Sequence, residues 1–166
     1  MTAQIGERLI YEGRKVSMCT EPLHVFFALG GRRPEFGFSS TALWRGYLGT
    51  WEIVGDRLYL IGLTGTLVDG TEATLETVFP GYPERVFAHW YSGTLRIPEG
   101  KLLEYVNASY ASIYERDRFL KIEKGVLVGS YVRQNGKAKS DAGPEGYGVG
   151  AMTIFPRRSG AKAEGE

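Results

Sequence analysis

The sequence predicts an all-β fold: an antiparallel barrel of roughly 8 to 10 strands with one or two short helices, or, as the alternative, a sandwich. Aromatic residues make up 13% of the chain and include ten tyrosines, and 23 glycines are spread among them. Aromatic side chains pack well on a pleated sheet, and glycine adopts the backbone conformations that tight turns need. Many short strands joined by tight turns are therefore expected.

Four segments repeat one local pattern, in which an apolar run, a turn with glycine and a second apolar run follow each other. They are RLIYEGRKVSM, TWEIVGDRLYL, GTLRIPEGKLLEY and FLKIEKGVLVG. The pattern predicts hairpins that turn at Gly13, Gly55, Gly100 and Gly125. Pro98 favours the third turn, because proline fits a turn and not a central strand.

The run RLYLIGLTGTLV is apolar on both faces, which is typical of a strand that is covered on both sides. Closure into a barrel explains this pattern and removes exposed sheet edges. Short helices are expected in TEPLHVFFALGG and in DGTEATLETVF, because Gly30-Gly31 and Pro80-Gly81 end these runs. The segment NASYASIYERDRF fits a helix or a strand, and the strand is favoured because hairpin runs flank it.

The length of 166 residues fits one domain, and we assign residues 1–155 to a single β domain and residues 156–166 to a flexible tail. The formal net charge of +1 provides no field to attract a polyanion, so general nucleic-acid binding is not expected. The lone Cys19 favours a reducing compartment, and no run approaches the ~20 apolar residues of a membrane helix. A cytoplasmic protein without membrane contact is expected.

No motif for a cofactor or a metal stands out. Two histidines and one cysteine are too few for a zinc site, and neither a P-loop nor a dinucleotide-binding glycine motif is present. We expect no cofactor and no metal. Cys19 is interpreted as a buried residue rather than a nucleophile, because no base accompanies it.

Two segments resemble those of a family of uncharacterised bacterial proteins. They are WRGYLGTWEI from Trp44 and SGTLRIPEG from Ser92, which match the patterns W-R-G-Y-x-G-x-W-E-I and S-G-x-L-R-x-P-x-G. The resemblance implies a bacterial intracellular protein. It implies no activity, cofactor or catalytic residue.

The first functional hypothesis is a small-molecule binding barrel. Amphipathic aromatic side chains on strands suit the wall of a pocket, and either Arg45 or Glu104 would orient a polar group of the ligand. His89 shares a predicted strand face with Phe87 and Tyr91, which makes it a candidate to bind a ligand. The predicted ligand-binding residues are Trp44, Arg45, Tyr47, Trp51, His89, Tyr91, Glu104 and Tyr105.

Two other hypotheses use the same residues. In the second, the aromatic side chains form a core or a homodimer patch, and the basic tail at Arg157 and Arg158 contacts a partner. In the third, His89 and Glu104 meet in one cleft of a hydrolase-like enzyme. Whether the protein is an enzyme stays open, and no catalytic residue is assigned. The alternating charges of YERDRF are expected to form cross-strand ion pairs.

Overall fold

The computed structural model describes residues 2–137 and confirms the all-β class. Its two helices are α1 (Pro22–Ala28) and α2 (Leu75–Val78). Its strands are β1 (Glu7–Tyr11), β2 (Arg14–Met18), β3 (Tyr47–Val54), β4 (Arg57–Gly65), β5 (Val86–Phe87), β6 (Gly93–Glu104), β7 (Ile113–Glu123) and β8 (Val126–Gln134). The predicted end of the domain at residue 155 lies outside the described residues.

All eight strands belong to one open sheet, so the predicted barrel is wrong. The strand order is β2-β1-β3-β4-β8-β7-β6, and β5 pairs with β4 beside this path. Neighbours are antiparallel except β1 and β3, which run parallel. A single sheet is also not the alternative that we considered, a sandwich of two sheets.

The two end strands approach each other without forming a ladder. The Cys19 N–H donates to the Arg96 carbonyl at 2.9 Å, and the Arg96 N–H donates to Thr20 Oγ1 at 2.9 Å. The next residue of β6 whose backbone faces the same edge is Pro98, which has no N–H to donate. Backbone pairing between the ends of β2 and β6 therefore does not continue beyond Arg96.

Three of the four predicted turns are confirmed, at Gly13, Gly55 and Gly125. The hairpin turn at Gly100 is wrong, because β6 continues through it as a bulge, with the register shifted between Glu99 and Leu102. Gly100 has a φ of 84°, and the Lys101 N–H beyond it donates to Glu115 Oε1 on β7 at 3.1 Å. A carboxylate from the neighbouring strand thus supplies the acceptor that a bulged amide needs.

Both short helices are confirmed, and they pack together through aromatic rings. Phe26 of α1 lies 4.8 Å from the ring of Phe79, just after α2, and 5.0 Å from the ring of Trp90. Trp90 Nε1 donates to the Pro22 carbonyl at 2.9 Å. No helix within residues 2–137 is long and apolar enough to cross a bilayer.

The hydrophobic core lies along one face of the sheet. In β3 the residues Tyr47, Gly49 and Trp51 are buried at every second position, as a strand with one covered face requires. Leu58 and Leu60 of β4 extend the same surface and are fully buried. Tyr47 and Trp51 are the largest of the fully buried side chains.

The sheet narrows between β4 and β8. Only Arg57 and Val126 pair there, and two backbone bonds flank them, from Leu58 N–H to Gly125 O at 2.8 Å and from Leu127 N–H to Asp56 O at 2.7 Å. After Leu127, β8 runs past the turn between β3 and β4 and keeps β7 as its one partner strand among the described residues.

Candidate functional site

The predicted ligand-binding residues divide between the interior and the surface. Tyr47, Trp51 and Tyr91 are buried in the hydrophobic core, and burial raises the pKa of Tyr91 to about 12. The side chain of Arg45 is only 7% exposed. The other four are exposed: Trp44, His89, Glu104 and Tyr105. One lining surface for all eight is therefore not formed, and their role in ligand binding stays a prediction.

Two of these residues, Arg45 and Trp51, donate hydrogen bonds to the carboxylate of Glu7 in β1, which is fully buried. Glu7 Oε2 accepts from Arg45 Nη2 at 2.7 Å, from Arg45 Nε at 3.0 Å and from the Gly49 N–H at 2.9 Å. Trp51 Nε1 donates to Glu7 Oε1 at 2.9 Å. The Arg45 guanidinium also lies over the Tyr47 ring, 5.6 Å from its centroid.

The Arg45 guanidinium also donates hydrogen bonds to two further segments of the chain. Its Nη1 donates to the Tyr110 hydroxyl at 3.1 Å, and its Nη2 donates to the Ile5 carbonyl at 3.0 Å. The Tyr110 hydroxyl in turn donates to Glu21 Oε2 at 2.6 Å. Residues before α1, before β3 and before β7 are thereby joined to β1.

Burial dominates the electrostatics of this polar centre. Loss of water raises the pKa of Glu7, and the Arg45 charge and the hydrogen bonds from Gly49 and Trp51 reduce that rise without cancelling it. Burial also raises the pKa of Tyr110, and its hydrogen bond to Glu21 adds to the increase. The Tyr110 hydroxyl therefore stays protonated near neutral pH.

The polar centre is densely hydrogen-bonded. The Glu7 oxygens accept four hydrogen bonds, and every nitrogen of the Arg45 guanidinium donates at least one. A buried ion pair satisfied in this way holds the connected segments together. The sequence patterns did not single out Glu7, Glu21 or Tyr110. The one available signal was that Glu7 alternates with Leu9 on the buried face of β1.

His89 and Glu104 are not brought together. His89 precedes β6 and Glu104 ends it, and the 12 residues of this strand span roughly 35 Å at ~3.3 Å each. Glu104 is exposed, although its sequence neighbours are apolar. A shared cleft for these two residues has no support in this geometry.

Residues 2–137 also contain no site suited to metal binding or to thiol chemistry. No group of three or more His, Cys, Asp or Glu side chains there is arranged to hold a metal ion. Burial, opposed only in part by the nearby Arg96 charge, raises the pKa of Cys19 to about 11. The thiol is therefore protonated at neutral pH and is a poor nucleophile.

The most distinctive surface is the second half of β8. Exposed fractions are 52% for Val128, 52% for Tyr131 and 37% for Val132. Ser130 and Arg133 are exposed as well, so both faces of the strand meet solvent. Its edge away from β7 pairs with no strand in the described part of the chain. We call residues 128–134 the free edge of β8.

Comparisons of the chain with protein-family models, curated proteins and solved structures find no match. The resemblance of its two segments to a bacterial family therefore stays a prediction.

Proposed function

We propose that this protein is an interaction module that assembles by pairing the free edge of β8 with the same edge of a second copy. The observation that carries the proposal is a strand exposed on both faces and along one edge. From Val126 to Val132 it has no charge and no proline, which are the usual protections of an edge strand. Such a strand is a template for another strand.

The backbone directions define which atoms would pair. Asn135 N–H donates to the carbonyl of Glu115, so the odd-numbered residues of β8 before it face β7. The backbone groups of Ser130, Val132 and Gln134 then face the free edge. A second strand would bond to these three residues and leave the ladder with β7 intact.

A second copy fits this edge because the strand complements itself. Antiparallel pairing about Tyr131 places Tyr131 opposite its counterpart, and Ser130 opposite Val132 of the other copy. The tyrosines form an aromatic cross-strand pair, and no like charges face each other. Arg133 forms an ion pair with Asp117, whose Oδ2 lies 2.8 Å from its Nη2, and this pairing reduces its repulsion of a second copy. A net charge of +1 adds little repulsion between copies.

The positions of the aromatic residues also favour this second hypothesis over a binding barrel. Tyr47, Trp51 and Tyr91 pack into the core, as a structural role requires, and Tyr131 supplies an exposed aromatic residue at the proposed interface. The hypotheses of a ligand-binding barrel and of an enzyme that uses His89 and Glu104 stay predictions. The proposed contact of Arg157 and Arg158 lies outside the described residues.

Sedimentation of the full chain over a concentration series tests the proposal. We expect a monomer–dimer equilibrium that Val132→Pro shifts to monomer, because the proline removes an N–H from the free edge. Val132→Thr, which keeps the N–H and the branched shape, should still dimerise. Thermal unfolding of both variants shows that each is folded. A wild-type chain that stays monomeric at about 100 μM would overturn the proposal, since specific dimers of weak to moderate affinity form below that concentration.

Cross-linking tests the register. In a Cys19→Ser background, Tyr131→Cys should form a disulfide between copies under mild oxidation. Directly opposed residues whose backbones do not bond have Cα atoms about 4.5 Å apart, which a disulfide can bridge. Val68→Cys, equally accessible but away from β8, is the control. Equal cross-linking of both variants would mean random collision rather than this register.

A further inference from the structure

A pair of arginines stacks on a pair of aromatic rings where β4 meets β5. Tyr59 and Phe87 are cross-strand neighbours, with ring centroids 5.8 Å apart. The Arg85 guanidinium carbon lies 4.1 Å from the Tyr59 centroid, and that of Arg57 lies 5.4 Å from the Phe87 centroid. Because side chains at alternate positions share a face, all four belong to the face opposite Leu58 and Leu60.

The turn between β7 and β8 supports this aromatic pair. Gly125 has a φ of 84°, and a Cβ atom added there would lie 2.8 Å from the Phe87 ring. The ring therefore lies directly on the backbone of the turn between β7 and β8. Stacking on fixed rings restricts the two guanidiniums before any ligand arrives, which lowers the entropic cost of binding.

Neither guanidinium has an acidic partner. Among residues 2–137, five arginines form ion pairs with carboxylates, and Arg57 and Arg85 are not among them. The exposed His89 extends the same surface, with its ring 6.5 Å from that of Phe87. Its imidazole makes no hydrogen bond to a described residue. Three groups that can donate hydrogen bonds thus lie around the Tyr59–Phe87 pair on one face of the sheet.

The geometry points to Arg57, Arg85 and His89 as a binding site for the phosphate group of a small-molecule ligand. Guanidinium groups match oxyanions with paired N–H donors. A phosphate monoester carries about −1.5 to −2 charges and three acceptor oxygens, so it can serve two guanidiniums at once. A carboxylate has one charge and two acceptor oxygens, so it compensates less of the charge of two arginines and offers fewer acceptors to them and to His89. This site is separate from the free edge of β8 and does not depend on dimerisation.

Titration of the full chain with inorganic phosphate, followed by NMR of the arginine Nε–H groups at constant ionic strength, tests the site. We expect saturable shifts at Arg57 and Arg85. The double variant Arg57→Gln, Arg85→Gln should weaken binding at least about tenfold. Arg14→Gln is the control, because Arg14 is an exposed strand arginine with no ring beneath it. The same affinity in the double variant as in the wild type would overturn the proposal.

Three further measurements sharpen the assignment. Acetate at matched ionic strength should produce no saturable shift at these arginines, and equal binding of acetate would overturn the choice of phosphate. Glu52 lies opposite Tyr59 in the β3–β4 register, so Glu52→Gln should tighten phosphate binding by removing a negative charge. A nucleoside monophosphate that binds more tightly than inorganic phosphate would identify an organic phosphate ester as the ligand, and equal affinity would identify the phosphate group alone.

Discussion

Glu7 shows how strongly one buried residue depends on its partners. Its carboxylate is fully buried and faces the Arg45 guanidinium, which is itself almost buried. Glu7→Gln keeps the shape but leaves Arg45 with only the more distant Glu21, 3.8 Å from its Nη1, as a counter-charge. We expect the free energy of unfolding to fall by about 3–5 kcal/mol, the usual cost of breaking a buried pair. Urea unfolding at neutral pH measures this loss.

Glu35→Gln is the control for that loss, because Glu35 is exposed and makes no ion pair. A change within about 0.5 kcal/mol is expected there, as at most surface positions. Equal effects of the two substitutions would show that the Glu7–Arg45 pair contributes no more than a surface charge.

At the scale of the residue, the reactivity of the Cys19 thiol reports how well water is excluded where β2 and β6 meet. Its pKa of about 11 lies two units above the ordinary value of 9.0, so the thiolate fraction at pH 8 is about a hundredfold lower. Labelling by a thiol reagent should be slower by about this factor than labelling of the same chain in urea. Equal rates in the two states would mean that this end of the sheet is open in solution.

At the scale of the element, two glycine turns can be compared. One needs glycine for its backbone conformation alone, and the other also needs it for the close packing around the turn. Gly13 and Gly125 both have positive φ values, of 75° and 84°. A Cβ atom at Gly13 would meet nothing within 4 Å, whereas at Gly125 it would lie 2.8 Å from the Ala88 carbonyl and 2.8 Å from the Phe87 ring.

We therefore expect Gly13→Ala to cost about 1 kcal/mol, the strain of a left-handed conformation. Gly125→Ala should cost about 2 kcal/mol more, because the backbone must also shift. Chemical unfolding of both variants measures the difference. Matching losses would show that the turn at Gly125 relaxes away from β5 without cost.

The β6 strand shows a limit of turn prediction at this scale. Pro98 and Gly100 are typical of a turn, yet both lie within one strand. Proline is tolerated because β6 is an end strand of the sheet, and glycine is used by a bulge. The contact that decides the outcome is the hydrogen bond from the Lys101 N–H to Glu115. Glu115 lies on another strand, so the local sequence around Gly100 does not indicate this contact.

For the whole molecule, Asp117 joins three strands and a loop. Its oxygens accept from Arg96 Nε at 2.9 Å, from Arg133 Nη2 at 2.8 Å and from Asn135 Nδ2 at 3.0 Å. Arg96 also donates to the Tyr110 carbonyl at 2.8 Å, which fixes the loop before β7. The ion pairs expected in YERDRF thus exist, but Asp117 is buried rather than solvated.

This arrangement predicts a pH dependence of global stability. Burial alone would raise the pKa of Asp117, but the hydrogen bonds from Asn135 and Arg96 and the Arg96 charge outweigh it and lower the pKa. A lowered pKa in the folded state gives stability above the unfolded pKa of about 3.9, and this stability is lost as the pH falls towards the folded value.

The test compares Asp117→Asn with the wild type in urea unfolding from pH 7 to pH 2. We expect the variant to be less stable by about 2 kcal/mol at pH 7, because its buried donors lose a charged acceptor. The difference between the two proteins should shrink below about pH 4. A constant difference across the series would contradict the role of the Asp117 charge.

The sequence predicted well wherever the signal was local. Gly13, Gly55 and Gly125 are turns because only a positive φ closes these hairpins, and α1 ends near Gly30 as its run indicated. Arg45 and Trp51 were predicted as ligand-binding residues, a role that stays a prediction, and in the structure both donate hydrogen bonds to one carboxylate. Their shared partner was missed, because Glu7 lies 38 residues from Arg45 and looks like an ordinary surface charge in sequence.

By itself, the amino-acid sequence determined the β class, the short helices and the positions of three turns, because strand alternation and glycine conformation act over a few residues. Only the tertiary structure decided that the sheet stays open, that β6 passes through Gly100 and that Glu7 and Asp117 are buried. Those outcomes depend on which distant donors and acceptors meet. The sheet stays open because Pro98 of β6 has no N–H with which to pair with β2. Glu7 and Asp117 can be buried because Arg45 and Arg96 supply the opposite charges.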